Sequence, residues 1–144
     1  MTLPEMTQFV TKAFLALLFL KALVEAWLNQ KNRNHISKNS SAVPIKFQQQ
    51  ISLKDHQKAA NYSIEKIKVG KYFQSYDLIL LLVWTFGGAI EAVNTFAESF
   101  ALTPINTGLV FFAIFSAINL LLGLPQSLYS TFVIEEKFGF NKTT

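Results

Sequence analysis

The chain has 144 residues, 51% hydrophobic and only 15% charged, with a mean hydropathy of +0.29. An ordinary soluble domain carries about a quarter charged residues, so a membrane protein is the class this composition selects. No cysteine is present, which excludes a disulfide framework, a cysteine zinc ribbon and a thiol nucleophile. The net charge is +4, and nine of the thirteen Lys and Arg residues fall between positions 29 and 76, flanked by apolar stretches. That asymmetry speaks for membrane orientation and against nucleic acid as a partner.

The first apolar stretch, 9–28, is about the length a helix needs to cross a bilayer core. It carries Lys12, Lys21 and Glu25 and lacks a small-residue cleavage site before Asn29-Gln30-Lys31, which favours a transmembrane span over a cleaved signal peptide. The following segment, Gln30 to Gln50, is rich in Asn, Gln, Ser and Lys, includes Pro44, and reads as an irregular solvated loop. At Ser52-Leu-Lys-Asp55 a capping-box-like start opens an amphipathic helix carrying Ala60, Ile64 and Ile67, with Gly70 as its expected stop. Its basic face suits either anionic lipid headgroups or water.

The second apolar stretch, 76–97, holds Gly87-Gly88, expected as a close-packing point inside one helix. The third span is expected over 104–124, and no charged residue occurs from Ala101 to Ile134. Pro125 is expected to end or kink it, leaving Gln126 to Ile134 along or out of the membrane face. The basic loop, 29–75, is assigned to the cytoplasm, which puts the N-terminus outside or in the lumen and the C-terminus in the cytoplasm.

Lys21 and Glu25 stand four residues apart on one helical face and can neutralise each other. A charge near the bilayer centre costs at least about 2.5 kcal/mol, so Lys21, Glu25 and Glu91 should face protein or water. They are candidates for a structural ion-pair cluster, for the lining of a hydrated cavity, or for snorkelling. His35 and His56 lack a metal-ligating neighbour at helical spacing, and no H-E-x-x-H, phosphate loop or G-x-S-x-G elbow occurs. The chain itself is expected to bind no metal and to hold no catalytic residue. Three N-x-S/T matches, at Asn39, Asn61 and Asn141, fall on the assigned cytoplasmic side and are read as chance.

The most specific segment runs from Pro125 through Tyr129-Ser-Thr-Phe132-Val-Ile-Glu135-Glu136-Lys-Phe-Gly139-Phe140-Asn141 to Thr144. It resembles the segment after the third membrane helix of the CAAX prenyl endopeptidases, integral-membrane zinc metalloproteases with the pattern Tyr-Ser-x-Phe-Val-Ile-Glu-Glu-x-x-Gly-Phe-Asn-x-x-Thr. Trp27-Leu-Asn-Gln30, Pro44 and Lys58-Ala-Ala-Asn-Tyr-Ser63 with Lys66 resemble that family's N-terminal region.

The resemblance implies an all-α, polytopic membrane protein: three transmembrane helices and an amphipathic loop helix, forming part of a larger helical chamber. It further implies a zinc site with H-E-x-x-H on a later helix, where zinc lowers the pKa of its water and the glutamate acts as base. The implied substrate is a prenylated CAAX protein that loses its C-terminal tripeptide, and the implied partners are membrane lipids and a C-terminal catalytic part of the same protein. Glu135, Glu136, Asn141 and Thr144 are expected to pack and cap rather than transfer protons. The alternatives are a stand-alone three-span adaptor or subunit that binds partners through its basic loop, and an inactive paralogue that keeps the chamber.

Overall fold

A computed structural model describes residues 2–141. Among them every regular element is helical: α1 (Leu3–Asn39), a 3₁₀ turn (Ile45–Phe47), α2 (Leu53–Phe86), α3 (Ala89–Glu98) and α4 (Pro104–Tyr129), which runs on into a π-helical turn (Ser130–Glu135). The chain divides into two compact units, one up to Ile67 and one from Lys68 onward.

In the first unit α1 is a single helix of 37 residues, about 55 Å long. At its start the Glu5 carboxylate accepts the Thr2 N–H at 2.8 Å, which satisfies an orphan donor and places negative charge at the positive end of the dipole. The segment expected to be a loop from Gln30 is helical as far as Asn39. Asparagine is a poor helix former, but no Gly or Pro interrupts the run before Pro44. Side chains one turn apart tie it together: Gln30 Nε2 donates to Asn34 Oδ1 at 3.1 Å, Asn39 Nδ2 to the His35 carbonyl at 2.8 Å, and Lys31 Nζ lies 4.8 Å from the Trp27 ring centroid.

The start of α2 follows the sequence. Ser52 Oγ accepts the Asp55 N–H at 3.1 Å and donates to Asp55 Oδ2 at 2.6 Å. The aspartate is one methylene shorter than a glutamate and takes the serine hydroxyl. Gly70, expected as the stop, lies inside α2; with no positive φ there, it is simply a helix-interior glycine.

In the second unit the break comes at Gly87-Gly88, which the sequence reading placed inside one helix. Gly88 has φ +74° and begins α3, and α2 and α3 are bent by 55°. A left-handed residue cannot continue a right-handed helix. Val93 and Ala97, one turn apart, are the buried face of α3, which packs on α4. Pro125 neither ends α4 nor sends the following residues off as a separate segment, because the helix continues through Tyr129 into the π-helical turn.

By length and composition α4 with its π-helical continuation, Pro104–Glu135, is the one described helix able to cross a membrane alone; Leu53–Phe86 with Ala89–Glu98 passes only as a bent pair. The predicted first span, within α1, is not among the described helices that pass by this measure.

Candidate functional site

Side-chain contacts in the second unit run antiparallel between α2 and α4. The Trp84 and Phe115 rings lie 4.8 Å apart between centroids, Tyr76 Oη donates to the Leu122 carbonyl at 3.1 Å, Gln126 Nε2 donates to Asp77 Oδ1 at 2.6 Å, and Phe73 meets Tyr129 edge-on at 6.1 Å. Pro125 has no N–H for the carbonyl one turn back, and its ring crowds that carbonyl. The Tyr76 hydroxyl donates to the next carbonyl along, that of Leu122, and so ties α2 to α4 beside the proline without replacing the lost bond.

The motif residues after Pro125 build the end of this helix. Ile134 in the π-helical turn is buried, while Phe132 is exposed. Gly139 has φ +65°, its N–H donates to the Glu136 carbonyl at 2.9 Å, and the Phe140 N–H donates to the Glu135 carbonyl at 2.8 Å. This 5→2 and 6→1 pairing around a left-handed glycine is a Schellman stop. Asn141 Nδ2 also donates to Glu136 Oε2 at 3.1 Å. Thr144 lies outside the described residues.

Of the three membrane-charge candidates, the structure pairs two. Lys21 Nζ lies 3.0 Å from Glu25 Oε1, with the lysine side chain 66% exposed and the glutamate 34%. Glu91 belongs to the other unit, exposed in the first turn of α3, where the helix dipole favours a carboxylate.

One feature escaped the sequence reading. His35 and His56, expected as separate solvated histidines, line a single cleft of about 720 Å³ in the first unit with Ile36, Val43, Pro44 and Ala60. His56 Nε2 donates to the Asn39 carbonyl at 2.9 Å. The continuation of α1 creates the cleft wall, and a recognised helix over 29–39 would have placed His35 and Asn39 on one face.

Neither region fits zinc. No group of three or more His, Asp or Glu side chains able to hold a metal ion occurs among the described residues, and a protein zinc site takes at least three such ligands.

Residues 32–144 match the model of a family described as CAAX prenyl protease N-terminal, five membrane helices. The chain belongs to the CAAX prenyl protease family. The family's description counts more membrane helices than the three spans expected from the sequence. The chain is 32% identical to human CAAX prenyl protease 1 homolog over 132 residues, covering 85% of this chain and 27% of that protein. It is 30% identical to CAAX prenyl protease 1 of Saccharomyces cerevisiae over 130 residues, covering 83% and 28%. The crystal structure of S. mikatae Ste24p superposes with a TM-score of 0.74 at 26% identity, over 86% of this chain and 30% of that one. The chain therefore spans somewhat over a quarter of the length of the curated relatives it matches.

Proposed function

We propose that this chain is the N-terminal membrane part of a zinc-dependent endopeptidase that removes the C-terminal tripeptide from prenylated CAAX proteins. Its role is scaffold and chamber wall, and a C-terminal part supplies zinc and catalysis. The observation that carries this reading is the family match over 32–144, joined to a coverage of only 27–28% of relatives named CAAX prenyl protease.

In this reading the spans are 9–28, 76–97 and 104–124, the second broken at Gly88, with the N-terminus outside or lumenal and 29–75 and the C-terminus cytoplasmic. Lys21, Glu25 and Glu91 line the chamber or lock its helices. Pro125, Tyr129, Phe132, Glu135, Glu136, Gly139, Phe140 and Asn141 belong to the segment that carries the helix on past the third span and stops it at Gly139, and Glu135 and Glu136 pack and cap there rather than transfer protons. The capping role is supported by the Schellman stop, in which Glu135 and Glu136 contribute main-chain carbonyls, and by the Glu136 carboxylate, which accepts from Asn141 Nδ2.

Two measurements test the proposal. The 144-residue chain in nanodiscs, with zinc supplied, should leave a farnesylated CAAX peptide uncut; cleavage by this chain alone would overturn the division of labour. An antibody to residues 29–75 should detect an endogenous polypeptide more than twice the length of this chain. A polypeptide of this chain's own size would favour the stand-alone adaptor.

A further inference from the structure

Between Ala42 and Lys54 the first unit turns four large apolar side chains outward: Ile45, Phe47, Ile51 and Leu53, of which Ile45 is 87% exposed. The turn that carries them is tied down. Val43 is buried, Gln48 Nε2 donates to the Val43 carbonyl at 3.1 Å, the Phe47 N–H donates to the Pro44 carbonyl at 2.8 Å, and His56 fastens the start of α2 to the end of α1 at 2.9 Å. A surface held in place beforehand loses less conformational freedom when a partner binds.

The electrostatic setting has one sign. From Gln30 to Lys58 there are six cations, Lys31, Arg33, Lys38, Lys46, Lys54 and Lys58, and one anion, Asp55, whose carboxylate already accepts the Ser52 hydroxyl. Of these, Lys46 and Lys54 stand exposed inside the turn itself; apolar groups beside charged ones mark interaction sites, and these two cations select an acidic counterpart.

The length of α1 decides between lipid and protein. The helix continues eleven residues beyond Leu28 to Asn39, a rise of about 16 Å, while the polar layer on each side of the hydrocarbon core is about 5–8 Å thick. Even at a steep tilt of about 40° the end of α1 stands about 12 Å above the core. The turn is therefore held in water, clear of the lipid that would otherwise cover Ile45 and Phe47.

We propose that the turn 42–54 is a docking surface for a protein partner that presents acidic side chains around an apolar centre, on the side of the membrane where the 29–75 loop lies. This rests on the reading of 9–28 as a span and not on the protease activity.

The absence of native cysteine permits a single environment-sensitive label. The full chain carrying Ile45→Cys, labelled with an NBD fluorophore, is placed in nanodiscs of phosphatidylcholine alone or mixed with phosphatidylserine. It is then titrated with a synthetic peptide in which glutamates flank leucine and phenylalanine, and with the same peptide carrying lysine for glutamate. Ile45 is exposed, so the substitution leaves the fold intact.

The expected result is a saturable blue shift with the acidic peptide, absent with the lysine peptide, and about tenfold weaker in the Lys46→Glu/Lys54→Glu variant. No response to the acidic peptide, or an equal response to both peptides, overturns the proposal. A blue shift produced by phosphatidylserine without peptide also overturns it, by making lipid the occupant. Thiol labelling at positions 38 and 98 from opposite faces of the membrane reports on the span independently, so failure of docking is distinguishable from failure of the membrane reading.

Discussion

Replacing Gly87 and Gly88 together by alanine tests whether the break in the second apolar stretch is built by the glycines. Gly88 sits at φ +74°, where a Cβ costs about 1–2 kcal/mol. A Cβ on Gly87 would lie 2.6 Å from the Val83 carbonyl oxygen and 2.9 Å from Val83 Cα; both are backbone atoms, so the helix itself must move, at about 1–3 kcal/mol. Together the two changes should destabilise the bent form by about 2–5 kcal/mol, less whatever is regained by straightening. Two observables separate those outcomes. The chain has two tryptophans, so in a Trp27→Phe background the emission of Trp84, packed on Phe115, follows denaturation in mixed micelles. Spin labels at Lys68 and Glu98 lie about 40 Å apart across the 55° bend and about 45 Å apart along a straight helix. A loss of stability or a lengthening of about 5 Å is expected. Unchanged stability, within about 0.5 kcal/mol, together with an unchanged distance would refute the argument.

Further substitutions probe single contacts. Tyr76→Phe removes the donor to Leu122 and should cost about 0.6 kcal/mol, up to about 1.7; an unaltered denaturation midpoint would show that this bond adds nothing to the packing of α2 on α4. Gly70→Ala should stabilise α2 by about 0.5–1 kcal/mol, because a Cβ there meets nothing within 4 Å, and a destabilised variant would place a neighbour at that face. Gly139→Ala should cost about 1–2 kcal/mol locally, read as faster amide exchange at Phe140 and Asn141, with Gly139→Asn milder; equal protection in all three would remove the Schellman stop. Cysteines at Lys38 and Glu98 should label from opposite sides of the membrane, and same-side labelling would overturn the proposed topology.

The helical class, the Ser52 start of α2 and the apolar third segment were legible because each rests on a local rule: a cap, or a run without charge. The errors arose where a weak local signal met a missing or unexpected breaker. Asn29 to Asn39 reads as a loop by composition, yet without Gly or Pro the helix propagates through it. Gly70 and Gly88 are the same residue type with opposite outcomes, since only Gly88 adopts a positive φ, and that depends on α3 packing against α4 through Val93 and Ala97. The histidine cleft was illegible for a related reason: it exists only once α1 has been extended and the 40–52 turn folded back to bring His56 to Asn39.

The positions of the polar contacts bear on the proposed topology through their energetics. Asp77 stands at the first turn of the 76–97 stretch and Gln126 two residues past the end of the 104–124 stretch, and the two are hydrogen-bonded at 2.6 Å. Stretches assigned from hydropathy alone thus place the carboxylate and its amide partner at one level, the membrane boundary, where water remains close and a charge costs little. Glu91 is different. It lies fourteen residues beyond Asp77 in the same stretch, about 20 Å deeper along a nearly straight path and somewhat less across the bend, a depth that corresponds to the bilayer interior. Its place in the first turn of α3 gives it the favourable end of a helix dipole, worth about 0.3–1 kcal/mol, against an insertion cost of about 2.5 kcal/mol or more. The dipole does not close that gap. In this topology Glu91 therefore needs water or another protein group beside it, which is why it, more than the mutually paired Lys21 and Glu25, is the residue that argues for a hydrated chamber.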